Sequence, residues 1–377
     1  MDLLHTFEHW QHIVFILFCV IATIQIFYFL FFFSRLAFYN PNNKNTTQTH
    51  AVSVVICARD ELKNLEKNLP SVLNQSYEST HEVIVVNDNS FDDSKYILEE
   101  LKSKYKQLQI IELTQEAMMI PGKKFPLAVG IKSAKHEIVL LTDADCIPAT
   151  ASWIESMQSS YDDKTEIVLG YGAFHKLKGF FNKIVRWECF QTALQYMSYS
   201  LAHIPYMGVG RNLSYKKSVF LRHKGFSSHN NIPGGDDDLF INMAATNGNT
   251  KINIDKNSFT LSNPPESWSQ WKRQKNRHYT TSKYYKKIHQ FLLGLYSISL
   301  FLFYPLLILS SVLYDWKYST LLFIIRLLIQ AVVYYKSMKK LNETDLFPFF
   351  FILDIWMFFY YLLFASSLFK KPVQHWK

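Results

Sequence analysis

The chain has 377 residues, of which 49% are apolar and 16% aromatic, with 31 Phe and 22 Tyr. That length allows one large domain or two smaller ones, and the aromatic excess is more than an ordinary water-soluble protein carries. A net charge of +9 would suit nucleic acid, but no basic–aromatic module accompanies it, so no nucleic-acid partner is expected.

In chain order, Ile13 to Ser34 lacks any charged residue and is long enough to cross a bilayer core of about 30 Å. Asp2, Glu8 and the lack of early Lys or Arg argue against a cleaved signal peptide, as does Phe31-Phe32-Phe33. A transmembrane anchor over residues 1–36 is expected, followed by a polar linker from Asn40 to His50. Residues 50–288 are ordinary in polarity and long enough to bury a core of their own.

Within that domain, Ala51 to Cys57, Glu82 to Val86, Leu108 to Leu113 and Ile138 to Leu141 read as buried strands. Helical spacing over Asp60 to Leu73, Asp92 to Tyr105 and Lys123 to Ala134 separates them. The alternation specifies an α/β fold with a mostly parallel sheet covered on both faces. The fourth strand runs into Asp143-Ala144-Asp145. Ligands of such sheets gather outside the carboxyl ends of the strands, and two carboxylates one residue apart there can share Mg²⁺ or Mn²⁺ through oxygen ligands. The bland alternative is a solvated acidic turn.

Past Pro148 the pattern changes. Glu166 to Tyr171 reads as another strand. Phe180 to Tyr199 reads as a long amphipathic helix, facing either the core or a headgroup layer. Met207 to Tyr215, MGVGRNLSY, is a glycine-punctuated turn into a strand; without GxGxxG it is a weak nucleotide loop. Gly234-Gly235 before Asp236-Asp237-Asp238 reads as a helix start with an acidic first turn. One Asp suffices as a cap, whereas three adjacent carboxylates repel unless a cation, a proton or a hydroxyl relieves them. The cluster therefore suits a general base beside a metal.

Trp268 to Tyr285 reads as a basic, aromatic interfacial helix. Its Gln274, Arg277 and His278 share one face, and an amide, a guanidinium fork and an imidazole suit an anionic diphosphate. Three further apolar stretches form a membrane region over 289–371: Phe291 to Tyr314, Tyr318 to Tyr335 with Arg326 and Gln330 inside it, and Leu346 to Phe369 with Asp354 inside it. Arg35 and Lys44 after the first helix, and Lys272 to Lys287 before the second, put the domain on the cytoplasmic side of a plasma or inner membrane, where basic flanks attract anionic lipid. The Lys336 to Lys340 loop agrees with this count of spans; Lys370-Lys371 falls on the far side, against the same tendency. The cysteines Cys19, Cys57, Cys146 and Cys189 show neither disulfide nor zinc spacing.

With these residues in place, about 51 to 290 resembles a membrane-bound family 2 glycosyltransferase, inverting and metal-dependent, with a GT-A (Rossmann-like) fold set between one N-terminal and about three C-terminal membrane helices. Val54 to Glu61, VVICARDE, resembles the family's first strand and nucleotide loop, with Cys57 where proline is usual and Asp60 where asparagine is usual. Val85 to Ser90, VVNDNS, is similar to Val-Asp-Asp-Gly-Ser. Gly122-Lys123 with Leu127 and Gly130 is similar to Gly-Lys-x-x-Ala-Leu-x-x-Gly, with Pro126 in place of alanine. Asp143 and Asp145 fall on DxD, and Gln274 to His278 on Gln-x-x-Arg-Trp with histidine for tryptophan.

The resemblance implies donor-nucleotide contacts at Ala58, Glu61, Asp88, Lys123 and Asp143, and a Mg²⁺ or Mn²⁺ site at Asp145 with Asp143. It implies diphosphate and acceptor contacts at Gln274, Arg277 and His278, and a general base among Asp236, Asp237 and Asp238. The Glu-Asp motif can be registered to make either Asp237 or Asp238 the base, with Asp237 slightly preferred. The implied donor is a nucleotide sugar, UDP-linked first among candidates. The expected acceptor is a membrane lipid or lipid-linked molecule, with a processive polysaccharide synthase as the alternative and an inactive scaffold a more distant one.

Overall fold

The computed structural model describes residues 2–41, 50–114, 120 and 122–366. Lys44, Lys370 and Lys371, most of the linker and the end of the last apolar stretch lie outside the described residues. The chain folds as two compact units, one running Asn40–Tyr285 and the other built from the segments on either side of it.

The helical unit opens with α1 (Asp2–Phe27), which continues through a π-helical turn, Tyr28–Phe33, into the short α2 (Ser34–Ala37). The globular unit begins with β1 (Val52–Ala58), α3 (Leu62–Leu73), β2 (His81–Asp88), α4 (Ser94–Lys104), β3 (Leu108–Leu113), α5 (Lys124–Ser133) and β4 (Ile138–Leu141). These strands pair in parallel in the order β3-β2-β1-β4. Every residue of β1 and β4 is buried, as strands covered on both faces require. Val54, Val83, Val85, Leu140 and Trp153 meet in one core cluster. Since β1 lies between β2 and β4, the chain leaves it in opposite directions along the sheet. That is the switch point where α/β folds open a crevice at the carboxyl ends.

The second half adds β5 (Cys146–Pro148), α6 (Trp153–Gln158), β6 (Ile167–Leu169), β7 (Gly172–Phe174), α7 (Phe180–Leu201), β8 (Leu213–Lys216), α8 (Lys217–Arg222), α9 (Asp238–Ala244), β9 (Thr250–Ile252), β10 (Thr260–Ser262) and α10 (Trp268–Tyr279). β8 inserts antiparallel between β4 and β6, and β9 closes the seven-stranded edge. A small sheet, β5-β10-β7, stands beside it. The expected amphipathic helix is α7, but Ile184, Val185, Trp187, Phe190, Leu194 and Met197 are buried together with Asn182, Arg186, Glu188 and Gln191. It is a core helix in which Asn182 donates to the His175 carbonyl and Glu188 pairs with Lys275, and only its first turn, at Phe180, opens to solvent. α10 ends at Tyr279, six residues before the sequence pattern does, and buries only Trp271 and Lys275.

The helical unit resumes with α11 (Lys287–Ser310), α12 (Trp316–Lys340) and α13 (Phe350–Phe364). Three continuous stretches are long and apolar enough to cross a membrane: His9–Ala37, Lys287–Lys340 and Thr344–Phe364. Laid straight, the second would be about 80 Å long. It folds back instead at Asp315, whose backbone is extended (φ −151°, ψ 118°). Ser310 and Ser319 then meet at 2.7 Å, and the Arg326 guanidinium lies 4.5 Å from the Phe303 ring centre. Arg326 and Asp354, which made two of these stretches weak spans in the sequence, neutralise each other at 2.7 Å. Gln330, Gln25 and Tyr304 add hydrogen bonds to the pair, as a charge in a low-dielectric core needs partners.

Candidate active site

The carboxyl ends of β1, β2 and β4 bring the predicted donor residues to one rim. Ala58 closes β1, and Asp60 follows it in the left-handed region (φ 54°) that Asp and Asn tolerate. Its carboxylate accepts from the Phe91 N–H at 2.7 Å, its own N–H donates to Ser90 Oγ at 2.9 Å, and the Leu62 N–H donates to Asp92. The loops after β1 and β2 are therefore knitted together, which fixes Glu61 and the buried Asp88 on adjacent strand ends.

Lys123 is the cation at the centre. Gly122 turns the chain at φ 80°, and Lys123 follows at the start of α5. Its ammonium lies 2.8 Å from Asp143 and 3.1 Å from Asp236, tying the acidic turn after β4 to the acid cluster before α9. Burial works against the charge of Lys123, but Asp143, Asp236 and Asp237 hold it protonated well above the ordinary lysine value. Burial would likewise raise Asp143; the Lys123 ammonium, with Arg211 and Arg277 behind it, holds that carboxyl below its usual range. At Asp145 burial and then the charge of Asp143 push the carboxyl up, outweighing the opposing charge of Arg211.

Ligand atoms of Asp143, Asp145 and Cys146 lie within 4.8 Å of one another. The Cys146 thiol donates to Asp145 at 3.4 Å, so the two carboxylates are the hard donors. A divalent cation accepting oxygen ligands at about 2.1 Å would relieve their repulsion. The residues present fit such an ion.

Gly234 and Gly235 (φ 80° and 85°) turn the chain into α9 through conformations that side chains resist. The approach is held by Lys124, whose ammonium donates to the carbonyls of His229, Ile232 and Gly234. Burial brings this ammonium down to about 8. The three acids then diverge. Asp236 faces Lys123. Asp237 caps α9, accepting from the Asp238 N–H at 2.7 Å and from the Gly210 N–H at 2.8 Å. Burial, then Asp236 and Asp238, push Asp237 up to about 7. Asp238 accepts from the Leu239 N–H, the Thr281 hydroxyl and the Tyr285 hydroxyl. These three donors oppose the rise that burial imposes on it.

α10 carries Gln274, Arg277 and His278. Gln274 Oε1 is buried without a hydrogen-bond partner among the described residues, a polar atom left for something else to satisfy. His278 opens to solvent, yet the protein around it and then the cations Lys275, Arg277, Arg211 and Lys123 push its imidazole well below the usual value. Arg211 and Lys124 were not singled out as site residues from the sequence. Arg211 stacks 4.3 Å over Phe174 and donates to Ser262 Oγ at 2.7 Å, and its charge acts on both Asp143 and Asp145. The lone arginine of MGVGRNLSY, between a strand and a glycine turn, was the available signal.

The profile of Glycosyl transferase family 2 matches residues 53–221. Over 242 residues the chain is 25% identical to "Probable glycosyltransferase YdaM" of Bacillus subtilis, covering 62% of this chain and 56% of that protein. Over 120 residues it is 28% identical to "Poly-beta-1,6-N-acetyl-D-glucosamine synthase" of Staphylococcus aureus, covering 31% of this chain and 28% of the relative. The chain thus spans about half or less of the length of these curated relatives. A solved mannosyltransferase, PcManGT of Pyrobaculum calidifontis in complex with GDP-Man and Mn²⁺, superposes with a TM-score of 0.58 at 14% identity, covering 93% of this chain and 99% of that one. At that identity the likeness establishes the fold, which is of the GT-A type.

Proposed function

From the match of residues 53–221 to Glycosyl transferase family 2, we propose that the chain transfers a sugar, with inversion, from a nucleotide-sugar donor to a hydroxyl of a membrane lipid or lipid-linked acceptor. The observation that carries this reading is Lys123 bridging Asp143 and Asp236. It joins an acidic pair suited to a metal and diphosphate to an acid cluster suited to a base. The donor nucleotide rests against Ala58, Glu61 and Asp88, a UDP-sugar being the first candidate.

Asp145 with Asp143 would hold a divalent cation, Mg²⁺ or Mn²⁺, which would supply charge neutralisation at the diphosphate. Lys123, Arg277 and Arg211 add fixed positive charge on the same side. Asp237 takes the proton of the acceptor hydroxyl. The acceptor oxygen forms its bond to the anomeric carbon from the face opposite the diphosphate, and the sugar–phosphate bond breaks with its electron pair leaving on the nucleoside diphosphate. With Asp237 as base and the acceptor oxygen as the attacking atom, this single displacement inverts the anomeric centre. Asp237 suits the role better than Asp238, because its value near 7 makes it an effective base at neutral pH, whereas the Asp238 carboxylate is occupied by three donors.

A membrane-borne acceptor is supported by three stretches of membrane-crossing length and by the basic, aromatic α10. A cytoplasmic domain is supported by the end of the helical unit where the chain leaves it. There Arg35 lies over Phe31, Lys336 lies over Phe38, and Lys340 donates to the Tyr39 carbonyl, a basic end of the kind found on the cytoplasmic side. The polysaccharide-synthase alternative draws on the Staphylococcus aureus relative. Radiolabelled nucleotide sugars, membranes and total lipid extract separate the two. Label extracted into organic solvent supports the lipid acceptor, and label in a large water-soluble product supports the synthase.

A further inference from the structure

The cation-bearing turn of α10 has a hold that the mechanism above does not use. At its first half α10 is anchored by Trp271, which is 1% exposed, and by Lys275, which pairs with the buried Glu188 of α7. Both anchors lie before Arg277. Past His278, the Thr281 hydroxyl reaches Asp238 Oδ2 on one side and the His278 carbonyl, at 2.8 Å, on the other. Tyr285 donates to the same carboxylate oxygen at 2.7 Å. Asp238, Thr281 and Tyr285 are all buried, and a buried carboxylate with several donors is a stiff joint because leaving it unsatisfied is costly.

We propose that Asp238, Thr281 and Tyr285 form a positioning clasp that ties the Arg277–His278 turn to the start of α9 and so sets the distance between the diphosphate-binding cations and Asp237. In this assignment Asp238 touches no reacting atom. It is the joint through which the two halves of the site keep register, and it explains why a third acid follows Asp237. An N-cap alone would not require it, since Asp237 already caps α9. The catalytic part of the inference rests on the glycosyl-transfer reading; the mechanical part does not.

The test uses the full-length chain in detergent with UDP and Mn²⁺ as the binding probe, and compares wild type, Thr281→Val/Tyr285→Phe, Thr281→Ser and Asp237→Asn. Amide hydrogen exchange over residues 272–279 is expected to rise about tenfold in the double variant. It should stay at the wild-type rate in Thr281→Ser, which keeps the hydroxyl, and in Asp237→Asn. The donor KM should rise about tenfold in the double variant with kcat changed far less, since a misplaced Arg277 weakens donor binding ahead of chemistry. Thr281→Ser should retain the wild-type KM. Unchanged exchange in the double variant overturns the clasp. Raised exchange with an unchanged KM and unchanged UDP binding overturns its positioning role. If wild type turns over no nucleotide sugar, the transfer reading fails, and the exchange data still decide the clasp.

Discussion

The carboxylate of Asp237 accepts a hydrogen bond from the Gly210 N–H at 2.8 Å. This contact joins the acid cluster before α9 to the turn that carries Arg211, two segments 27 residues apart in the chain. It leaves Asp237 with two backbone donors and no side-chain cation within salt-bridge range among the described residues, the condition under which a buried carboxyl stays basic.

Asp237→Asn is expected to lower kcat by about 10²–10⁴-fold, the usual contribution of a general base, while UDP binding in the presence of Mn²⁺ stays near wild type. Asp238→Asn should instead raise the donor KM. Steady-state kinetics on the two variants side by side separate the roles; equal effects on kcat would contradict the assignment.

The pH dependence follows from the raised Asp237. Its proton must leave for it to act as base, so kcat/KM should fall below about pH 7 and level off above it. The same rise works against folding. Between its unfolded value, near 4, and about 7, the folded state binds a proton that the unfolded state has released, so this group's contribution to stability falls as pH rises. Asp237→Asn should therefore raise the thermal midpoint more at pH 8 than at pH 5. A difference of the opposite sign in melting curves would show that the carboxyl is not strained.

Lys123→Ala leaves Asp143 and Asp236 facing each other without their shared cation. Allowing for the partial exposure of the pair, the cost is about 2 kcal/mol of stability, with transfer lost as well. Lys123→Arg should recover stability in part and activity little, because a planar fork does not reproduce a point charge between two acids. Denaturant or thermal unfolding with parallel kinetics checks both.

In the helical unit, Arg326→Leu leaves Asp354 charged and unpaired in an apolar core, at about 3 kcal/mol. Arg326→Leu/Asp354→Leu should regain most of it, because the pair is replaced by packing. Detergent-phase melting of the two variants is the check; equal losses in both would mean that the ion pair itself, and not the stranded charge, sets the cost.

The first four strands and the turn after β4 were legible because each strand is a short, largely apolar run with β-branched residues, and the fourth leads into Asp143-Ala144-Asp145. The order of the sheet beyond β4 was not. β8 pairs with residues 72 to 78 positions away, such as Ser214 with Leu140, and no local pattern encodes a partner at that distance. β5, β7, β9 and β10 have three residues each, too few to show a period of two. The aromatics of α7 suggested a headgroup layer because composition alone does not tell a helix buried on all sides from one lying on lipid. At the site, the residue types were readable and their division of labour was not. Asp236, Asp237 and Asp238 are the same chemistry in sequence; only the left-handed turn at Gly234 and Gly235 sends them toward Lys123, Gly210 and Thr281 respectively.

The most direct measurement is nucleoside diphosphate release by the full-length chain with Mn²⁺, across a panel of UDP- and GDP-sugars in the presence of membrane lipid, for wild type, Asp145→Ala and Asp237→Asn. The expected result is release from at least one donor by wild type, abolished by EDTA and lost in both variants. Release that persists in Asp237→Asn, or no release from any donor by wild type, would contradict sugar transfer at this site.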